Sequence, residues 1–272
     1  MPVLAHYPDT TSHDLDTVPR PVIVFGTDGI DVGGQRPERD FHRHQRGQLV
    51  LLMRGVLECE VENSLWIVPP QSAIWVPGGV LHRVKAAGAL HGYVAFIDTG
   101  VAAQLPSACC AVTTTPLLRE LLMRAAELPL LYEEGGMASR VVALLLDELA
   151  LAPTGTLQLP MPQDSRLRKI AEGIMAAPSE PGTVESWARR VGLSERTLAR
   201  LLTQETGMSF GRWRQQLQLM LAVKWLSTGT SVQQVSNDLG YESAGSFVGM
   251  FRRAIGTSPG RYMAQQRGLA AD

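Results

Sequence analysis

Three histidines and a glutamine are spaced so that their side chains can act together. His42 and His44 lie two residues apart, Gln48 follows four residues later, and His82 closes the run Pro77-Gly78-Gly79-x-x-His82. If the first pair sits on a strand, alternation sends both imidazoles to one face. A second strand carrying His82 then brings a third imidazole to the same place. Two chemistries follow. Three imidazole nitrogens with an amide oxygen form a coordination set for a divalent transition metal such as Zn, Ni or Fe, which makes His42, His44, Gln48 and His82 the candidate metal ligands. Without a metal the same groups line a pocket and hydrogen-bond an effector or one another. Trp75 and Trp66 flank the Pro69-Pro70 pair. Each is either a core aromatic or a pocket wall, and Trp75 joins the candidate effector pocket.

A second set of residues suits phosphates and base edges. In ERTLARLL, helical spacing puts Leu198, Leu201 and Leu202 on an inner face and Glu195, Arg196, Ala199 and Arg200 on the outer one. Arg196 and Arg200, one turn apart, can fork onto guanine or grip phosphate. Glu195 can accept from cytosine or cap the helix, and Ser194 and Thr197 are phosphate candidates. About fifty residues later the plan recurs in AGSFVGMFRRAIG, but Ala244, Gly245, Val248 and Gly249 stand where long polar side chains would read bases. That copy is expected to dock on phosphates through Ser243, Ser246, Arg252 and Arg253. Arg212, with Arg214, lies near the start of the apolar-faced helix between the copies and reaches toward the DNA backbone.

The order Gly240-Tyr241-Glu242-Ser243, Ser246-Phe247, Phe251-Arg252-Arg253, Gly256, Ser258-Pro259 and Tyr262 resembles the signature that closes the DNA-binding domain of the AraC/XylS family of bacterial transcription regulators. The resemblance spans residues 164–268 and implies two helix-turn-helix units on double-stranded operator DNA; Gly249 departs from it, since many relatives carry Arg there. Upstream, His42-x-His44-x-x-x-Gln48, the later Gly55 and the Pro-Gly-Gly-x-x-His run are similar to the paired motifs of the cupin family. Gln48 stands where many cupins carry Glu, which removes one negative charge from the ligand set. The two resemblances together imply a transcription regulator, not an enzyme, whose cupin domain senses a small molecule or a metal. The alternative is a metal-dependent cupin enzyme, a dioxygenase or isomerase, fused to a DNA-binding module.

The elements that must position these groups are legible in the texture of the chain. Residues 1–20 are polar and without period, and read as a flexible arm. From residue 21 to 112, short β-prone runs broken by Gly and Pro favour a β-barrel or cupin jelly roll. Residues 113–152 hold two helical stretches whose apolar faces suit a partner, and the family resemblance implies a homodimer; packing within one chain is the other possibility. Residues 153–163 read as a linker, and 164–268 as an all-α domain with tandem helix-turn-helix units. The fold class is therefore α+β in two domains.

Charge supports the division. Residues 164–272 carry 14 Lys+Arg against 9 Asp+Glu, and residues 1–163 carry 11 against 17. A basic module behind an acidic one fits a part that meets phosphates and a part that does not. The three cysteines, two of them adjacent, make no disulfide framework. Neither a cationic-then-apolar leader nor a membrane-length apolar run is evident, so a cytoplasmic protein without a membrane partner is expected. RNA polymerase is a further expected partner at a promoter.

Overall fold

The computed structural model describes residues 3–4, 13–30, 38–61, 64–155 and 158–268. Two units emerge, residues 1–62 with 68–157 and residues 63–67 with 158–272. In the first, β1 (Val3–Leu4), α1 (His13–Asp16), β2 (Val22–Ile30), β3 (Glu38–His42) and β4 (Gly47–Val61) are followed by β5 (Ser64–Val68), most of which is counted with the second unit. Then come β6 (Ser72–Val76), β7 (His82–Ile97), β8 (Cys110–Thr113), α2 (Pro116–Ala126), α3 (Met137–Leu151) and β9 (Thr154–Gly155).

The strand order β1-β2-β7-β4-β6-β8-β9, with β3 also on β7, is an open path among the described residues and not a closed barrel. Runs that the sequence separates are joined: β4 and β7 pair antiparallel along their length, with register shifts around Arg54 beside Gly55 at φ 81°. Only a residue without Cβ takes that conformation cheaply.

Register fixes two faces. Val24, Ala95, Leu49 and Trp75 stand side by side across β2, β7, β4 and β6. They share one core with Leu118, Leu122, Val142 and Leu145 from α2 and α3. The neighbouring row, Ile23, Phe96, Gln48 and Val76, must point the other way. Gly47 lies on the helix side, where an added Cβ would fall 2.1 Å from the Trp75 ring, so the indole fills its space. The helix pair starts as the sequence indicates, with the Thr115 hydroxyl capping the Leu118 amide and Pro116 in the first turn.

The segment read as a flexible arm is in part tied down, a correction for residues 13–20; residues 1–2 and 5–12 lie outside the described residues. Asp16 accepts from the amides of Gln45 and Arg46 at 3.2 and 3.3 Å. Arg46, only 3% exposed, returns two bonds to the carbonyls of Arg20 and Val18 at 2.9 and 2.7 Å. Arg20 in turn donates to the carbonyl of Tyr132 at 2.6 Å. The expected linker is also partly regular: β9 pairs with Ala111–Val112, and β10 (Gln158–Pro160) pairs with residues 64–66.

The second unit is helical: α4 (Ser165–Ala176), α5 (Val184–Arg190), α6 (Glu195–Thr206), α7 (Phe210–Ser227), α8 (Val232–Asp238), α9 (Ala244–Ile255) and α10 (Pro259–Gly268). Asp164, Thr183, Ser194, Ser209, Ser231 and Ser243 each cap the helix that follows with a side-chain oxygen. The Arg166 side chain holds the Asp164 carboxyl down to about 2, so this cap stays ionised in neutral solution and is lost only as pH falls from the ordinary carboxylate range toward that value. Along α7, Trp213, Leu217, Met220, Val223 and Leu226 are buried, and Trp213 donates to the Pro160 carbonyl at 2.7 Å. Trp187 occupies the room left by Gly182, where a Cβ would meet the indole nitrogen at 2.2 Å.

Replacing Arg46 by Met keeps the volume and strands two carbonyls. The unfolding free energy of the first unit should fall by roughly 2–4 kcal/mol, on the scale of one to three per orphaned buried group. Denaturant titration followed by tryptophan emission measures it, and a loss under about 1 kcal/mol would show that the clamp is dispensable.

Histidine cluster and candidate DNA interface

The Pro-Gly-Gly turn and the end of β3 build the histidine site. His42 and His82 are register partners on β3 and β7. The Gly79 amide donates to the His44 carbonyl at 2.7 Å, and a Cβ on Gly78 would lie 1.9 Å from the Gln45 carbonyl oxygen. The turn can approach residues 44–45 this closely only because position 78 is glycine. As a result the ring nitrogens of His42, His44 and His82 offer ligand atoms all within 4.8 Å of one another. The rings of His42 and His82 are 4.3 Å apart at their centroids, and His44 sits edge-on to Phe96 at 5.5 Å.

The tautomers follow from the partners. His44 Nδ1 faces the Arg46 carbonyl at 2.5 Å and His82 Nδ1 faces the Val80 carbonyl at 2.9 Å. A carbonyl only accepts, so each Nδ1 carries the proton and each Nε2 is left with a lone pair. Both Nε2 atoms lie 3.1 Å from the Gln48 side-chain oxygen. Three acceptors cannot bond one another. Turning the amide end for end presents an NH2 whose two hydrogens match the two lone pairs; a cation between the rings satisfies them equally. The carbonyl-anchored Nδ1–H groups are the arrangement that orients metal-ligating histidines, and the donor set of neutral nitrogens suits a borderline divalent ion.

Trp75 does not join this cluster. Its register partner is Leu49, so it points to the helix side, and its indole donates to the Pro106 carbonyl at 2.8 Å. The correction has a simple cause: Trp75 and Gln48 belong to adjacent rows of opposite direction. The nearby thiol of Cys59 in β4 is pushed up to about 12, chiefly by burial and then by Glu60, which makes it an inert core group.

In the helical unit, α6 has Leu198 and Leu202 buried, with Leu201 half-buried, and Glu195, Arg196 and Arg200 exposed. Arg200 donates to Gln204 at 3.3 Å, one turn on along the same face. Ser194 and Thr197 are engaged with each other at 2.9 Å, and Ser243 with Ser246 at 3.0 Å, as part of their helix caps. On α9, Arg252 and Arg253 are exposed. Arg253 Nη1 lies 3.5 Å from where a Cβ on Gly249 would stand, so a guanidinium from one turn away covers the gap that Gly249 leaves. Arg212 is exposed, whereas Arg214 is spent on the carbonyls of Gly182 and Glu180, both at 2.8 Å, and is not available to reach a duplex. Phe247, Phe251 and Tyr262 pack as a core stack, with ring centroids 5.9 and 5.6 Å apart.

Residues 24–152 match the model of the AraC-like ligand binding domain, and residues 187–265 match a helix-turn-helix domain. The HTH-type transcriptional regulator NimR of Escherichia coli (strain K12) is 41% identical over 236 residues, covering 87% of this chain and 86% of that protein. The chain belongs to the AraC family of transcriptional regulators. RipA of Corynebacterium glutamicum is 30% identical over 112 residues, 41% of this chain and 34% of that protein. Among solved structures, fatty-acid-bound ToxT from Vibrio cholerae strain SCE256 is 10% identical, covers 89% of this chain and 94% of its own, and has a TM-score of 0.38.

As an AraC-family regulator, this chain carries an AraC-like ligand-binding domain ahead of a DNA-binding helix-turn-helix domain, and NimR and RipA are both named transcriptional regulators. Among the described residues no helix is long and apolar enough to cross a membrane. Two functional side chains escape a reading of the sequence alone. Arg46 follows His44 by two residues and looks like one more surface charge, yet it anchors the sensor's first segment; Arg214 likewise looks like a DNA contact. Nothing in their local spacing announces the distant carbonyls they bind.

Proposed function

We propose that this AraC-family regulator senses a small molecule or a divalent metal at His42, His44, Gln48 and His82, and reads operator DNA chiefly through Arg196 and Arg200 on α6. The observation that carries the reading is the convergence of three histidines, two of them on the Gln48 side chain, inside the AraC-like ligand-binding domain. When bound there, a Zn, Ni or Fe ion would supply a positive centre that a ligand oxygen or nitrogen can join; His42, His44 and His82 would hold it through their ring nitrogens, with Gln48 as the uncharged fourth ligand. The effector acts by differential affinity for two arrangements of the protein, and so changes operator occupancy or recruitment of RNA polymerase. Glu195 at the start of α6 accepts from cytosine or caps the helix, while Ser194 and Thr197 beside it, Arg212 on α7, and Ser243, Ser246, Arg252 and Arg253 on α9 add phosphate contacts that strengthen binding with little sequence discrimination.

Homodimerisation belongs to the same reading. Met137, Leu144 and Leu151 recur every seven residues on the outer face of α3 and are 55%, 43% and 80% exposed. A seven-residue apolar stripe is the pattern with which one helix seats against another.

Three measurements test this. Arg200→Ala should weaken binding to a selected operator by roughly 1–3 kcal/mol while leaving random DNA less affected; equal losses on both would reduce Arg200 to a phosphate contact. Metal analysis of purified protein and of a His44→Ala variant should show stoichiometric Zn, Ni or Fe in the first alone if the cluster is a metal site. Metal-free protein that still responds to an effector assigns the cluster to the organic ligand, whereas unaltered effector response and metal content in the variant would remove it from sensing altogether. The double change Leu144→Glu with Leu151→Glu should convert a dimer to monomers in light scattering, and an unchanged mass would exclude the α3 stripe.

A further inference from the structure

The sensor unit holds an apolar cleft that the histidine site does not use. Its volume is ~400 Å³, and it is lined by residues 22–25 of β2, by Ala125, Leu128 and Leu130 at the end of α2 and beyond, and by Tyr132 and Val142. Protein interiors close-pack, and a space of this size walled by residues as buried as Val22 at 1%, Val142 at 3% and Tyr132 at 5% is in the range of a ligand pocket.

The backbone adds polar character. The Asp98 amide bonds the Pro21 carbonyl, so in the antiparallel pair β2–β7 the Pro21 carbonyl and the amides and carbonyls of Ile23 and Phe25 face β7. Val22 and Val24 therefore turn theirs to the opposite edge. Among the described residues, parallel pairing with β1 occupies that edge at Gly26 and Thr27, farther along. At the near end the Tyr132 hydroxyl donates to the Val22 carbonyl at 3.4 Å, so the edge facing the cleft is already in use as an acceptor. Among the described lining residues there is no Lys or Arg, and the one charged group is Glu127, which is paired with Arg124 at 2.8 Å. An anion finds no partner among them.

We propose that this cleft, between the edge of β2 and the turn after α2, is a second small-molecule site, selective for an uncharged, largely apolar ligand. A docking strand is disfavoured, because the 128–132 turn already covers the edge and Tyr132 already holds the Val22 carbonyl. The site stands apart from the histidine-cluster reading and does not depend on it. It is nevertheless connected to it: Tyr132 bonds Arg20, Arg20 bonds Arg46, and Arg46 bonds His44, each through a backbone carbonyl. Its walls also include the end of α2 and the buried face of α3.

N-phenyl-1-naphthylamine, uncharged and largely apolar, is the probe. Full-length protein should bind it saturably with one probe per chain, and Leu128→Trp and Val142→Phe, which fill the cleft, should each weaken binding at least tenfold. Methyl NMR of the unaltered protein provides a check that requires no variant: the probe should shift Val22, Val24, Leu128 and Val142. Absence of saturable binding, undiminished affinity in both folded variants, or shifts confined to Met137, Leu144 and Leu151 or to Val76 and Val80 would each overturn the assignment.

Discussion

Alternation along a single strand divides the sensor unit. In β4, Gln48 and Leu49 are neighbours in sequence and face opposite ways, and pairing with β6 and β7 extends that division across the sheet. Because side chains in one cross-strand row share a direction, one row carries Phe96 and Gln48 toward the histidines while the next carries Ala95, Leu49 and Trp75 toward α2 and α3. A slip of one residue would exchange the two sets and bury Gln48 against leucines. Apolar burial on the helix side, about 1.5–3 kcal/mol for each fully covered Leu or Val, holds the register that the histidine side requires.

Arg46 is the principal polar tie in this arrangement. A guanidinium removed from water is costly unless its donors are matched; here Nη1 and Nη2 meet the carbonyls of Arg20 and Val18, with Asp98 at 3.7 Å, and among the described residues Nε alone of the three nitrogens has no hydrogen-bond partner. The same residue's carbonyl orients His44. Order in the segment before β2, the tautomer of a histidine and the position of the turn after α2 thus rest on one side chain and its backbone.

Features encoded locally were legible in the sequence. Helix starts at Thr115, Asp164, Thr183, Ser194, Ser231 and Ser243 follow from a hydroxyl or carboxyl placed ahead of an apolar period, and all six caps form. The meeting of His42 with His44 and His82 follows from strand alternation plus a glycine turn. Features that depend on distant partners were not legible. From sequence Trp75 suits core and pocket alike, because its face depends on which residue of β4 it opposes. Residues 13–20 looked free because Arg46 is remote in sequence, and Arg214 looked free because the carbonyls it binds lie about thirty residues upstream. Residues 153–163 looked irregular because their strands are only two or three residues long and pair with segments far away.

The helices α6 and α9 differ in a further respect. Gly249 lies inside α9 and Gly245 in its first turn, whereas α6 has no glycine between its caps. An interior glycine costs about 0.5–1 kcal/mol of helix relative to alanine. The continuity of α9 is thus borrowed from the packing of Phe247, Met250 and Phe251 beneath it, and its amides are expected to exchange with solvent through local opening well before those of α6. Of the two helices, α9 is the softer.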